Sequence, residues 1–212
     1  PKDSVTVYRD LYVVTDLLEV DDDADLIEVL ASLGWGDGLP VVAPTPERVE
    51  AMLVGCSGHD PEEVVATLPP RFGQATRLAI AVNAVMAGCL PDHLPVLVSA
   101  VRALAHTDLN LRGVNATTHC VAPLLVVHGE VVRSAGYHGG LGAFGPGSRA
   151  NATTGRALRL ILLHVAGATP GDGDASTQGG PAKYGFCVAE NLEASPWTGY
   201  AASVGVDAPS AV

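Results

Sequence analysis

The stretch of this sequence best suited to chemistry is residues 136–163, GYHGGLGAFGPGSRANATTGRALRLILL. Its first half is a glycine-dense loop with few charges, and its second half predicts an apolar helix from Ser148 to about Val165. Glycine lets a ligand approach the main chain closely. The first turn of a helix leaves N–H groups without partners, and the helix dipole adds partial positive charge there. Loop and helix together therefore make a seat for a phosphate, sulfate or carboxylate. Gly145, Gly147, the N-cap candidate Ser148, Asn151 and the fork-like donors Arg149 and Arg156 are the residues expected to hold that anion. The same glycines would also serve tight turns and close helix packing. The spacing is neither a phosphate-binding P-loop, since no G-K-[ST] occurs, nor a dinucleotide fingerprint behind a clear strand.

A reaction at such a seat would expel the anion by elimination or intramolecular displacement. Sulfate needs little acid assistance to leave, but it needs charge stabilisation and a fixed substrate conformation. A base would take the proton from the attacking group, and three residues offer one: Asp37, His119 and Glu190. Asp37 stands between Gly36 and Gly38, so its carboxylate is either well presented or part of an ordinary Asp-Gly turn. His119 follows Thr117 and Thr118, in a polar cluster that suits either a substrate wall or a satisfied structural histidine. Trp35 and Asn83 complete the expected substrate contacts, and Asn83, a polar residue in an apolar helix, either ties a loop or faces a ligand.

Other chemistries are less well served. Cys56, Cys89, Cys120 and Cys187 have no C-x-x-C spacing, which predicts free thiols and neither a disulfide framework nor a structural zinc site. Thiol catalysis stays an alternative, although Cys89 lies at the helix end that does not lower a thiol pKa. The seven histidines include no H-x-x-x-H pair and no H-E-x-x-H, so no metal is expected; the reaction envisaged also calls for no organic cofactor. The formal charge of −11 on 212 residues argues against nucleic acid or an anionic membrane as a partner. It also makes arginines near glycine loops the natural anion contacts. No apolar run reaches a membrane span and the amino end shows no signal-peptide pattern, so a cytoplasmic protein is expected.

The elements that must position these residues read as one α/β or α+β domain over 1–212, with a small mixed sheet packed against several apolar helices. Residues 1–33 predict a strand and an acid-led helix, and Thr45-Pro46 opens a second helix. Asp60-Pro61-Glu62-Glu63 predicts another short helix. Residues 74–87 and 91–105 predict two buried helices, stopped by Gly88 and restarted by Pro91. Residues 123–127 and 130–134 predict a hairpin turning at His128-Gly129. Residues 167–181 predict a surface loop, 183–189 a last strand, and 198–212 a flexible tail. The pocket is expected where loops 35–39, 115–119 and 138–151 converge, covered by 171–180.

Four segments, GWGDGLPVV, NAVMAGC, FGPGSRANATTGRALRL and YGFCVAEN, resemble the G-W-x-D-G-L-P-V module of bacterial proteins associated with the UGSC (seleno)protein family. The similarity spans residues 34–197. Members often carry a preceding module with a U/C-G-S-C element, which this chain lacks; the resemblance implies that a second protein subunit supplies it, or that the chain is a thiol oxidoreductase or a stabilising subunit of a heteromeric enzyme. More loosely, the chain is similar to actinobacterial proteins of azabicyclic amino-acid biosynthesis, which close an aziridine ring by expelling sulfate. That similarity implies an enzyme of specialised metabolism acting on a sulfated, amino-acid-like small molecule.

Overall fold

The computed structural model describes residues 4–8, 17–21 and 25–206, and the chain is a mixture of helices and short strands of the α+β class. In order come β1 (Ser4–Tyr8), β2 (Leu17–Asp21), α1 (Leu26–Ser32), α2 (Pro46–Leu53), β3 (Val64–Leu68), β4 (Gly73–Thr76), α3 (Arg77–Ala87), α4 (Leu94–Leu104) and α5 (Leu111–Ala116). They are followed by β5 (Leu125–Val127), α6 (Val131–Ser134), α7 (Arg149–His164), β6 (Thr169–Pro170), β7 (Gly173–Asp174), β8 (Cys187–Ala189) and α8 (Tyr200–Ser203).

Local chemistry explains most helix ends. Asp25 caps α1 by accepting from the Ile27 amide, Thr45 caps α2 with Pro46 in its first turn, and Ser148 caps α7 by accepting from Asn151. Gly88 ends α3 in the left-handed region, at φ 86°, where a Cβ would be strained. Every residue of α3 is buried, and α3 packs along α7 with α2 and α4 alongside. The core between them is aliphatic, centred on Ile80, Met86, Leu94, Leu97, Leu160, Ile161 and Leu162.

The strands form four separate two-stranded ladders instead of one mixed sheet. β1–β2 and β3–β4 are antiparallel; β5–β8 and β6–β7 are parallel. The expected hairpin at His128-Gly129 does not form. Residues 131–134 wind into one helical turn, α6, and β5 pairs instead with the distant, fully buried β8. Five residues, Glu-Val-Val-Arg-Ser, are too few to separate a period of 2 from one of 3.6. Residues 60–63 make a turn, not a helix, and residues 74–76, expected as the start of the next helix, belong to strand β4. Within the expected tail, Tyr200–Ser203 is helical with Ala201 buried, whereas 207–212 lies outside the described residues, as do residues 9–14 of the strand expected near the amino end.

Candidate functional site

Helix α7 carries three arginines on one side, and each ties down a different loop. Arg149 donates from Nε and Nη2 to the Gly88 carbonyl at 3.0 and 2.8 Å. Arg156 grips Asp37 with two bonds of 2.8 Å and also reaches the Leu39 carbonyl at 3.1 Å. Arg159 donates to Asp174 at 3.0 Å and to the Ala168 carbonyl at 3.3 Å. With a rise of about 1.5 Å per residue, Ser148 and Arg159 sit about 16 Å apart along the axis. The loops at the two ends therefore open into separate clefts and do not converge on one pocket.

At the amino end, the glycine loop folds around Asn151. Its amide donates to the His138 and Ala143 carbonyls at 2.8 and 3.2 Å, while its oxygen accepts from the His138 amide and the Ser148 hydroxyl at 2.9 and 3.0 Å. Asn151 is therefore a buried loop anchor, not the anion contact expected of it. The Ala143 and Gly145 amides also bond within the loop, to Gly140 and Gly142. An open cleft of about 490 Å³ remains, lined by Gly145, Gly147, Ser148 and Arg149. Arg149, which lines it, spends Nε and Nη2 on the Gly88 carbonyl.

The G-W-G-D-G segment is held from below. Trp35 is buried in the core, and its amide donates to Leu30, so it is no substrate contact. The Gly36 amide donates to His164 Nε2 at 3.2 Å, and His164 Nδ1 lies 2.7 Å from Asn83 Oδ1. Because the Asn83 amide donates to Ala79 at 2.9 Å, its oxygen must accept, which fixes His164 as the neutral tautomer protonated at Nδ1. Burial, against a weaker opposing pull from Asp37, pushes the His164 pKa down to about 4. Asn83 thus ties a loop and does not face a ligand. Asp37 has a side chain only 4 % exposed. Burial alone would raise its pKa, but the hydrogen bonds and charge of Arg156 and the Leu39 amide bring it below the ordinary carboxylate range. A carboxylate held ionised in this way is a weak base, so Asp37 and Arg156 act as a clamp, not as base and anion contact.

The cleft that gathers charged side chains lies further along α7. It measures about 700 Å³ and is lined by Gly36, Asp37, Arg159, Asp174, Ser176, Gln178, Gly180, Lys183 and Tyr184 among others. Asp174, with a side chain 4 % exposed, accepts from both Arg159 and Lys183, the latter at 2.7 Å. Burial opposes its ionisation, yet the Lys183 hydrogen bond, the Ser176 amide and the two positive charges lower its pKa. Two cations thus share the Asp174 carboxylate, while Asp37, which also lines the cleft, is matched by Arg156 behind it. The loop over 171–180, expected as a cover, forms a wall: the Ser176 hydroxyl donates to the His119 carbonyl at 2.7 Å and that of Thr177 to the Thr118 carbonyl at 2.9 Å. The Thr117 hydroxyl meets His119 Nδ1 at 3.2 Å, and Thr118 joins the loop through its carbonyl. Reasoning from sequence missed Arg159, Asp174 and Lys183. The available signal was the three-residue step from Arg156 to Arg159, which places both on one helix face.

The remaining candidates stand apart. Glu190 pairs with His128 beyond the carboxyl end of β8. Burial pushes Cys89 and Cys187 up to about 12 and raises Cys56 as well, and only Cys120 is exposed. Among the described residues no group of three or more His, Cys, Asp or Glu is placed to hold a metal ion, and no helix is long and apolar enough to cross a membrane. No protein family, curated protein or solved structure matches the chain.

Proposed function

We propose that the chain is a small-molecule enzyme that binds an oxyanion-bearing, amino-acid-like substrate in the Arg159–Lys183 cleft and expels the anion, acting with a second protein subunit. What carries the reading is the pair of cations sharing the single buried carboxylate of Asp174. Low-dielectric walls focus that field on a ligand. As the C–O bond breaks, the leaving sulfate takes the electron pair, and Lys183 and Arg159 stabilise the charge that develops on it. The substrate's amine lone pair forms the new C–N bond. His119, tethered to the cleft wall through Ser176, takes the released ammonium proton. The exposed Leu141 and Phe144 of the glycine loop suit contact with the second subunit.

The test is ligand-induced stabilisation followed by sulfate release. Sulfate at ten times its Kd adds about 1.4 kcal/mol of stability, and at about 2–4 °C per kcal/mol for a chain of this size Tm rises by about 3–6 °C. Lys183→Met removes the rise, whereas Ser148→Ala at the other cleft leaves it. The reverse pattern would move the anion seat back to the glycine loop. Loss of sulfate release from a sulfated amino-acid substrate in Lys183→Met completes the case; full turnover in that variant refutes it.

A further inference from the structure

β5 and β8 run parallel, and the residue following each strand carries an ionisable side chain: His128 after Val127 and Glu190 after Ala189. Ligand sites in parallel sheets collect at these carboxyl ends, because the strands bring distant parts of the chain side by side there. Here the Glu190 amide donates to the Val127 carbonyl at 2.8 Å, which fixes the two residues as neighbours. Their side chains meet through His128 Nδ1 and Glu190 Oε2, 3.6 Å apart. Both atoms are buried and neither has a hydrogen-bond partner among the described residues. Buried polar atoms nearly always find partners, so this facing pair is an exception that asks for a reason.

The cover over the pair is slight. Tyr200, the first residue of α8, stacks its ring on His128 at 5.6 Å between centroids and donates its amide to Glu190 Oε1 at 2.8 Å. Ala201 is the sole buried residue of that helix, and the Tyr200 side chain is itself mostly exposed. A four-residue helix held by one ring, one methyl group and one hydrogen bond opens readily. Opening also hydrates the two unpartnered atoms, which favours the open form.

We propose that His128 and Glu190 form a proton-transfer dyad beneath a lid made by α8, serving a small molecule that bears an ionisable hydroxyl or amine. Glu190 is a positioning residue: its negative charge, 3.6 Å from Nδ1, favours the imidazole proton on that side and leaves Nε2 as the bare nitrogen that takes a proton from the ligand. Glu190 on one side and Tyr200 on the other are the groups that face the imidazole. The site is independent of the Arg159–Lys183 cleft, and its failure leaves that reading untouched.

The full-length chain tests it with two readouts that need no substrate. In long-range proton–nitrogen spectra at neutral pH, His128 is expected as the Nδ1–H tautomer. Glu190→Ala switches it to the commoner Nε2–H form, and Glu190→Asp, which keeps a carboxylate, restores Nδ1–H. Diethylpyrocarbonate labelling followed by mass spectrometry should modify His128 several-fold faster in Tyr200→Ala than in wild type, while labelling of the exposed His106 stays constant. An Nε2–H tautomer in wild type, or one unchanged in Glu190→Ala, overturns the dyad. An unaltered labelling rate in Tyr200→Ala overturns the lid, and with it the proposal.

Discussion

Replacing Arg156 by Met tests the clamp on the G-W-G-D-G segment. The substitution keeps most of the aliphatic stem but strands the Asp37 carboxylate, which is 4 % exposed and loses both of its 2.8 Å guanidinium bonds. Breaking a buried ion pair from one side costs about 3–5 kcal/mol, mostly as the penalty of an uncompensated buried charge. For a chain of this length that corresponds to a drop in Tm of roughly 6–20 °C. Asp37→Asn removes the stranded charge, so the double variant should recover part of the loss, with a coupling energy of about 1–3 kcal/mol in a double-mutant cycle. The pH dependence follows from the direction of the shift. Asp37 has a lowered pKa in the folded chain, so its contribution is complete above the unfolded carboxylate pKa and disappears as pH falls through the folded value. Urea unfolding of the four proteins at pH 7 and in acid measures all of this. A loss below about 1 kcal/mol for Arg156→Met at pH 7, or a cost that persists unchanged in acid, would show that the pair is solvated and that the segment is fixed by other means.

Three further outcomes are expected. His164 stays neutral in the fold with its pKa pushed down to about 4, so stability is present above the ordinary histidine range and is lost as pH falls from about 6.5 toward 4, by about 3 kcal/mol; His164→Gln should flatten that slope, as read by unfolding at stepped pH. Iodoacetamide should label Cys120 in the native chain and reach Cys89 and Cys187 only after unfolding, since both are buried and both thiols sit near 12. Gly73→Ala would place a Cβ against the Val165 carbonyl and Gly155→Ala would press one on the Phe186 amide, so each should lower stability by about 1–3 kcal/mol in thermal unfolding.

Sequence reasoning located what local chemistry decides. The caps at Thr45 and Ser148, the acid-led start of α1, the stop at Gly88 and the burial of residues 77–87 all follow from side chains within a few positions of the feature they control. It failed where the deciding partner is remote. Val131 and Val132 look like strand until β8, more than fifty residues on, takes the place beside β5. Asp37 looks like a presented base until Arg156 arrives from α7, and Asn151 looks like a ligand contact until the loop closes on it. In each case a polar group that seems available in one dimension is already paired in three, because burial obliges it to find a partner. Arg159, Asp174 and Lys183 escaped for the same reason: nothing in a single residue reveals that two cations will meet on one acid.

The row of arginines along α7 has a mechanical corollary. A rigid rod whose side bears moorings to Gly88, Asp37 and Asp174 cannot twist about its own axis without dragging all three attached loops the same way. The three attached loops are therefore held in a fixed relation to one another by a single element.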